Sequence, residues 1–155
     1  MYDMTLTIDN NESGTTFEDI MNDILSQDNV MLSVKSSGAV CEVNTEMNLP
    51  LRISDQYVTI GDETRPWHIH VNLRETKEAR FVIENKENKT SARNSYSIRF
   101  FDLKGNLVLR ANFVRMYDSS NRLIQERLLA YEKIFAKYGK KQNLALRAAK
   151  EIEHY

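Results

Sequence analysis

Residues 96–113 read Tyr96-Ser97-Ile98-Arg99-Phe100-Phe101, then Asp102-Leu103-Lys104-Gly105-Asn106, then Leu107-Val108-Leu109-Arg110-Ala111-Asn112-Phe113. The outer segments are rich in aromatic and branched residues, and the middle one is a turn whose glycine sits where a left-handed residue is required. In the second strand, predicted over 107–117, Leu107, Leu109, Ala111 and Phe113 share one face while Arg110 and Asn112 lie opposite. This is the strongest hairpin in the chain, and it makes an antiparallel sheet the scaffold.

Working upstream, residues 85–95 hold one apolar residue, Ala92, and predict a long loop. Ala79-Arg80-Phe81-Val82-Ile83-Glu84 predicts a strand, and 74–78 a single helical turn. Trp67-His68-Ile69-His70-Val71-Asn72-Leu73 alternates with period two, so Trp67, Ile69, Val71 and Leu73 share one face and His68, His70 and Asn72 the other. Residues 51–60 predict one or two strands closing at Gly61-Asp62. Val30, Leu32 and Val34 alternate up to Ser36-Ser37-Gly38, and 40–43 returns as a second hairpin. Thr15-Thr16-Phe17-Glu18 has capping-box spacing and opens a helical apolar pattern at Phe17, Ile20, Met21, Ile24 and Leu25. Residues 1–14 are polar and predict a loose arm, with at best a short strand over 4–8.

Downstream, Asp118-Ser119-Ser120 offers N-caps for a helix carrying Ile124, Leu128, Tyr131, Phe135 and Tyr138, which Gly139 ends. Residues 140–155 predict a charged helical extension with Leu144, Ala148 and Ile152 on one stripe. The order helix, strands, helix describes an α+β domain over 15–139, its curved antiparallel sheet covered on one face by the N-terminal and C-terminal helices.

The 155 residues suit one domain, and 21 Lys+Arg against 22 Asp+Glu leave a net charge of -1. That balance points to neither a nucleic-acid nor a membrane-surface partner. The single cysteine, Cys41, excludes an internal disulfide framework, fits a reducing compartment and reads as a small buried thiol. No apolar leader and no run of about 18 apolar residues is present, which reads as a cytoplasmic protein without membrane insertion.

Chemistry centres on the two imidazoles of the 67–73 strand, which could ligate a metal or haem iron or move protons. Asn72 stands where a histidine-triad hydrolase would place its third histidine. A zinc or non-haem iron site would need a third donor from elsewhere, for which Glu42, Asp102 and His154 are candidates.

Taken together, Ala39-Val40-Cys41-Glu42-Val43, Asn48-Leu49-Pro50, Trp67-His68-Ile69-His70, Ala79-Arg80-Phe81-Val82, Ser95-Tyr96-Ser97-Ile98-Arg99-Phe100-Phe101-Asp102 with Gly105, and the strand from Leu109 to Arg115 resemble the ChuX/HutX and HemS group of cytoplasmic haem-utilisation proteins. Trp67 replaces the glycine that usually precedes the family's haem-site histidine, and the Arg-Asp step is spread over Arg115-Met116-Tyr117-Asp118. The resemblance implies a homodimer that binds and transfers haem inside the cell, with His68 as the iron ligand. His70, a tyrosine or no residue would be the second ligand. Arg110, Arg115 or Arg99 would pair with the propionates, and Tyr131 would line the porphyrin. It leaves two alternatives open, a haem-degrading enzyme of the HemS-like type and a haem-free dimeric interaction module.

Overall fold

The computed structural model describes residues 14–88 and 91–147, and the side chains of 14–85 and 93–147. The expected arm over 1–14, except Gly14, and the last part of the expected helix, 148–155, lie outside the described residues.

The first helix, α1 (Phe17–Leu25), buries Phe17, Ile20, Met21, Ile24 and Leu25, the five residues whose spacing announced it. Its capping box lies one residue later than the Thr15/Glu18 pair. The Thr16 hydroxyl accepts the Asp19 backbone N–H at 3.2 Å, and the Asp19 carboxylate accepts the Thr16 N–H at 3.0 Å. The shorter aspartate serves as well as glutamate because Thr16 is the extended residue immediately before the first helical one.

Among the described residues, nine strands form two antiparallel sheets. The larger comprises β1 (Val30–Lys35), β2 (Val40–Asn44), β6 (Glu78–Asn88), β7 (Ser91–Phe101), β8 (Leu107–Phe113) and β9 (Asn143–Ala145), in the order β2-β1-β8-β7-β6-β9. The smaller comprises β3 (Leu51–Ser54), β4 (Tyr57–Ile60) and β5 (Ile69–Asn72) in sequence order. The 102–106 turn closes as expected: the Asp102 carboxylate accepts backbone N–H groups from Lys104 and Asn106, and Gly105 takes φ +82°.

The α2 helix (Gln125–Lys137) lies with α1 on one face of the large sheet. Phe17 of α1 meets Phe100, while Tyr131 of α2 meets Phe81, Tyr96 and Phe113. These residues join Val58, Ile60, Val71 and Leu73 from and beside the small sheet in one apolar core. Arg127 ties α2 to the sheet, since its guanidinium donates to the backbone carbonyls of Asp28, Asn29 and Val114.

Four expectations fail for identifiable reasons. The 85–95 segment is no long loop, because β6 and β7 continue their ladder out to the Asn88–Ser91 pair. Backbone pairing supports strands there even though the side chains are polar. The helix after 118 starts only at Gln125, because Asp118 spends its carboxylate on the N–H groups of Ser120 and Arg122 in a local turn. Within the expected 140–155 helix, Asn143–Ala145 is instead β9, an edge strand on β6. There Leu144 and Leu146 are buried while Ala145 is exposed, a period-two pattern that docks on the open β6 edge. Cys41 is exposed rather than buried, because β2 is itself an edge strand.

Candidate functional site

Among the described residues, the histidine strand sits at the edge of the small sheet, where β5 pairs with β4. Ile69 and Val71 turn toward the core, while His68 and His70 are exposed. Their rings lie edge to face with centroids 4.8 Å apart. His70 stands in register with Thr59, which stands in register with Arg52 on β3. The outward face therefore runs imidazole, hydroxyl, guanidinium across three strands.

Thr59 holds the ring. Its Oγ1 lies 2.8 Å from His70 Nδ1. When Nδ1–H donates to that oxygen, the Nε2 lone pair is the free ligating atom, the arrangement by which metal-binding imidazoles are usually fixed. Behind the pair, Gly61 takes φ +91°, and a Cβ there would meet the Trp67 carbonyl at 3.2 Å and His68 at 3.5 Å. Glycine at 61 thus lets the chain press against the start of the histidine segment. The intervening loop is braced by Asp62, which Arg65 meets at 2.9 Å. The Thr64 side-chain hydrogen bond is the main cause holding the Asp62 carboxyl below its usual range. Thr59, Arg52 and Gly61 were not singled out from the sequence, because cross-strand register cannot be read from any one segment. The only signal was that Gly61 ends a strand.

The other expected site residues do not converge on this pair. Arg110 projects from the large sheet, on the face opposite Leu109, Ala111 and Phe113, which are buried under the helices. Arg115 is exposed beyond β8, in a left-handed conformation at φ +54°. Tyr131 lies in the core, 2% exposed, and its hydroxyl donates to the Ser97 carbonyl at 2.9 Å. Burial raises its phenol well above the usual range. Among the described residues no group of three His, Cys, Asp or Glu side chains could hold a metal ion, so Glu42 and Asp102 supply no third ligand to the pair. His154 lies outside the described residues.

A protein-family model matches residues 18–139. A protein from Agrobacterium tumefaciens superposes with a TM-score of 0.64 at 21% identity, covering 79% of this chain and 66% of its own length, slightly under two thirds. ChuX superposes at 0.57 with 17% identity, covering 81% of this chain and 73% of its own. A second structure, of the heme binding protein ChuX, gives 0.55 at 16% identity, covering 78% and 71%. No curated protein matches the sequence. The superpositions show a shared fold, and the family match over 18–139 spans β1 to β8, α2 and α1 from its second residue: the chain belongs to a ChuX-like family.

Proposed function

We propose that this chain binds haem reversibly, as an intracellular homodimeric carrier or store in haem-iron utilisation, with an imidazole of the His68/His70 pair as the iron ligand. The observation that carries the proposal is the outward-facing pair itself, with His70 Nδ1 held by Thr59 and a second imidazole ring beside it. A porphyrin brings four nitrogen ligands of its own, so the protein need supply only one or two. Two exposed imidazoles meet that demand, whereas a bare zinc ion would need about three protein donors. Arg52, in register across the same face, would offer a guanidinium to a propionate. The heme-binding ChuX structure supports the reading through its shared fold.

Bound haem would supply reversible ligation at iron, and the chain's part would be to orient one imidazole of the His68/His70 pair and offer Arg52 to a carboxylate. Hemin titrated into the purified protein should give a saturable Soret shift that His68→Ala or His70→Ala abolishes. Absence of a saturable shift would overturn the proposal and favour a haem-free interaction module. The exposure of the pair also leaves room for the haem-degrading alternative. Adding a reductant under air separates the two. Loss of the Soret band with a bilin absorption that catalase does not suppress would replace the carrier reading with haem breakdown.

A further inference from the structure

His68 directly precedes β5 and His70 is its second residue. In an extended chain two such positions share a face, about 7 Å apart. Their rings approach more closely than that, to a centroid distance of 4.8 Å at an interplanar angle of 68°. An imidazole nitrogen sits about 2.0 Å from a bound transition ion, with its ring centre about 1.1 Å farther back. Two rings on one ion therefore have centroids about 4.4 Å apart at a right angle and about 5.1 Å apart at a tetrahedral one. The observed spacing falls between those limits, so the two side chains already stand at chelating distance.

Both are held from behind. The buried Thr59 hydroxyl lies 2.8 Å from His70 Nδ1, which leaves Nε2 free. Gly61 packs against the Trp67 carbonyl and the His68 backbone, which fixes where the His68 side chain starts. Asn72, the next residue on this face, has its Oδ1 engaged by the Arg74 N–H at 3.0 Å. Among the described residues no third His, Cys, Asp or Glu joins the pair. The site thus offers two imidazole nitrogens and leaves the other coordination positions to water.

That donor set selects among ions. Calcium and magnesium take oxygen ligands, and zinc sites use three or four protein donors. Cupric ion binds nitrogen donors most tightly of the first-row divalent ions and takes a tetragonal arrangement. Arg52 lies two strands away, about 10 Å, which is roughly one Debye length in 0.1 M salt, so its charge is largely screened from the site.

We infer that His68 and His70 form a two-imidazole chelate for a divalent copper ion, oriented by Thr59 and completed by water. The inference does not rest on the haem proposal, although it uses the same rings, so bound copper and bound haem exclude one another.

The test is titration of the full chain with copper(II) sulfate, read by calorimetry and electron paramagnetic resonance. One ion per chain should bind saturably and give a tetragonal signal with nitrogen hyperfine structure. His68→Ala and His70→Ala should each weaken binding by about tenfold or more, and Thr59→Val by about tenfold, the scale at which partners supporting a metal-bound imidazole act. Should an alanine variant fail to fold, His68→Gln or His70→Gln reports instead. Cys41→Ser, which removes an exposed competing donor, and His154→Ala should bind as before. Zinc(II) should bind more weakly than copper(II). The inference is overturned if copper does not bind saturably, if the signal lacks nitrogen hyperfine structure, or if zinc binds as tightly. It is equally overturned if a folded variant at 59, 68 or 70 binds unchanged, or if Cys41→Ser or His154→Ala loses binding. A Soret shift with hemin in a chain that ignores copper would sink this inference alone, and copper binding without a Soret shift would sink the haem proposal alone.

Discussion

At the scale of single residues, the arrangement turns on what each polar side chain is already bonded to. His70 is oriented by Thr59, so Thr59→Val keeps the strand and its shape while freeing the ring. If His70 ligates iron, hemin affinity in a Soret titration should fall by about tenfold or more, as loss of a supporting partner does at other metal-bound imidazoles. An unchanged affinity would assign ligation to His68 alone. Tyr131 is the opposite case, because its hydroxyl is engaged with the Ser97 carbonyl in the core. Tyr131→Phe should cost about 1 kcal/mol in chemical denaturation, the usual net worth of such a bond, and should leave hemin binding unaltered. A loss of hemin binding without a loss of stability would return Tyr131 to the ligand site that the resemblance implied for it.

At the scale of elements, stability depends on how the ends of each segment are satisfied. The α1 capping box is reciprocal, so Thr16→Ala removes the acceptor for the Asp19 N–H. The expected cost is about 1 kcal/mol in urea denaturation, with Thr15→Ala much nearer neutral, which distinguishes the observed cap from the one suggested by spacing. The α2 helix has no side-chain cap and is held instead through Arg127. Its guanidinium reaches three carbonyls, two just before β1 and one just after β8. Arg127→Leu removes these bonds, leaving the Asn29 carbonyl only its bond from the Val114 N–H, and should destabilise by roughly 2 kcal/mol, since bonds to charged donors are worth about 1.5–3 kcal/mol each. A denaturation midpoint equal to that of the unsubstituted protein would show that apolar packing alone docks α2. These are also the elements whose existence was plain from periodicity. Their edges were not, because Asp118 and Thr15 are plausible caps that a local turn at 118–122 and the neighbouring Thr16 displaced.

At the scale of the whole molecule, two carboxylates, Asp62 and Asp102, carry a pH dependence of stability. The side-chain hydrogen bond from Thr64 lowers Asp62, and the backbone N–H of Asn106 lowers Asp102. Their folded values lie below the unfolded carboxylate value of about 3.9. The stability they contribute is therefore present above that value and lost as pH falls through the folded ones. Denaturation midpoints should be level for these groups between about pH 5 and 8 and fall below about pH 4. An Asp62→Asn/Asp102→Asn double variant should show a shallower acid loss. An identical acid profile in that variant would place the acid limit on other groups.

Local chemistry determined much of this protein. Five apolar residues at helical spacing predicted α1, a glycine-bearing turn between alternating strands predicted β7 and β8, and strict alternation placed His68 and His70 together on one outward face. Each depends on periods of 3.6 or 2 within a few residues, which the backbone enforces locally. The tertiary structure decided which strands became neighbours. It set β1 beside β8, separated the histidine strand into its own three-stranded sheet and recruited 143–145 as β9. It also set Tyr131 in the core, Arg110 on a different sheet from the histidines and Thr59 against His70. The physical reason is that register between distant segments is selected by cooperative burial and by satisfying every backbone donor and acceptor. No single segment contains either quantity.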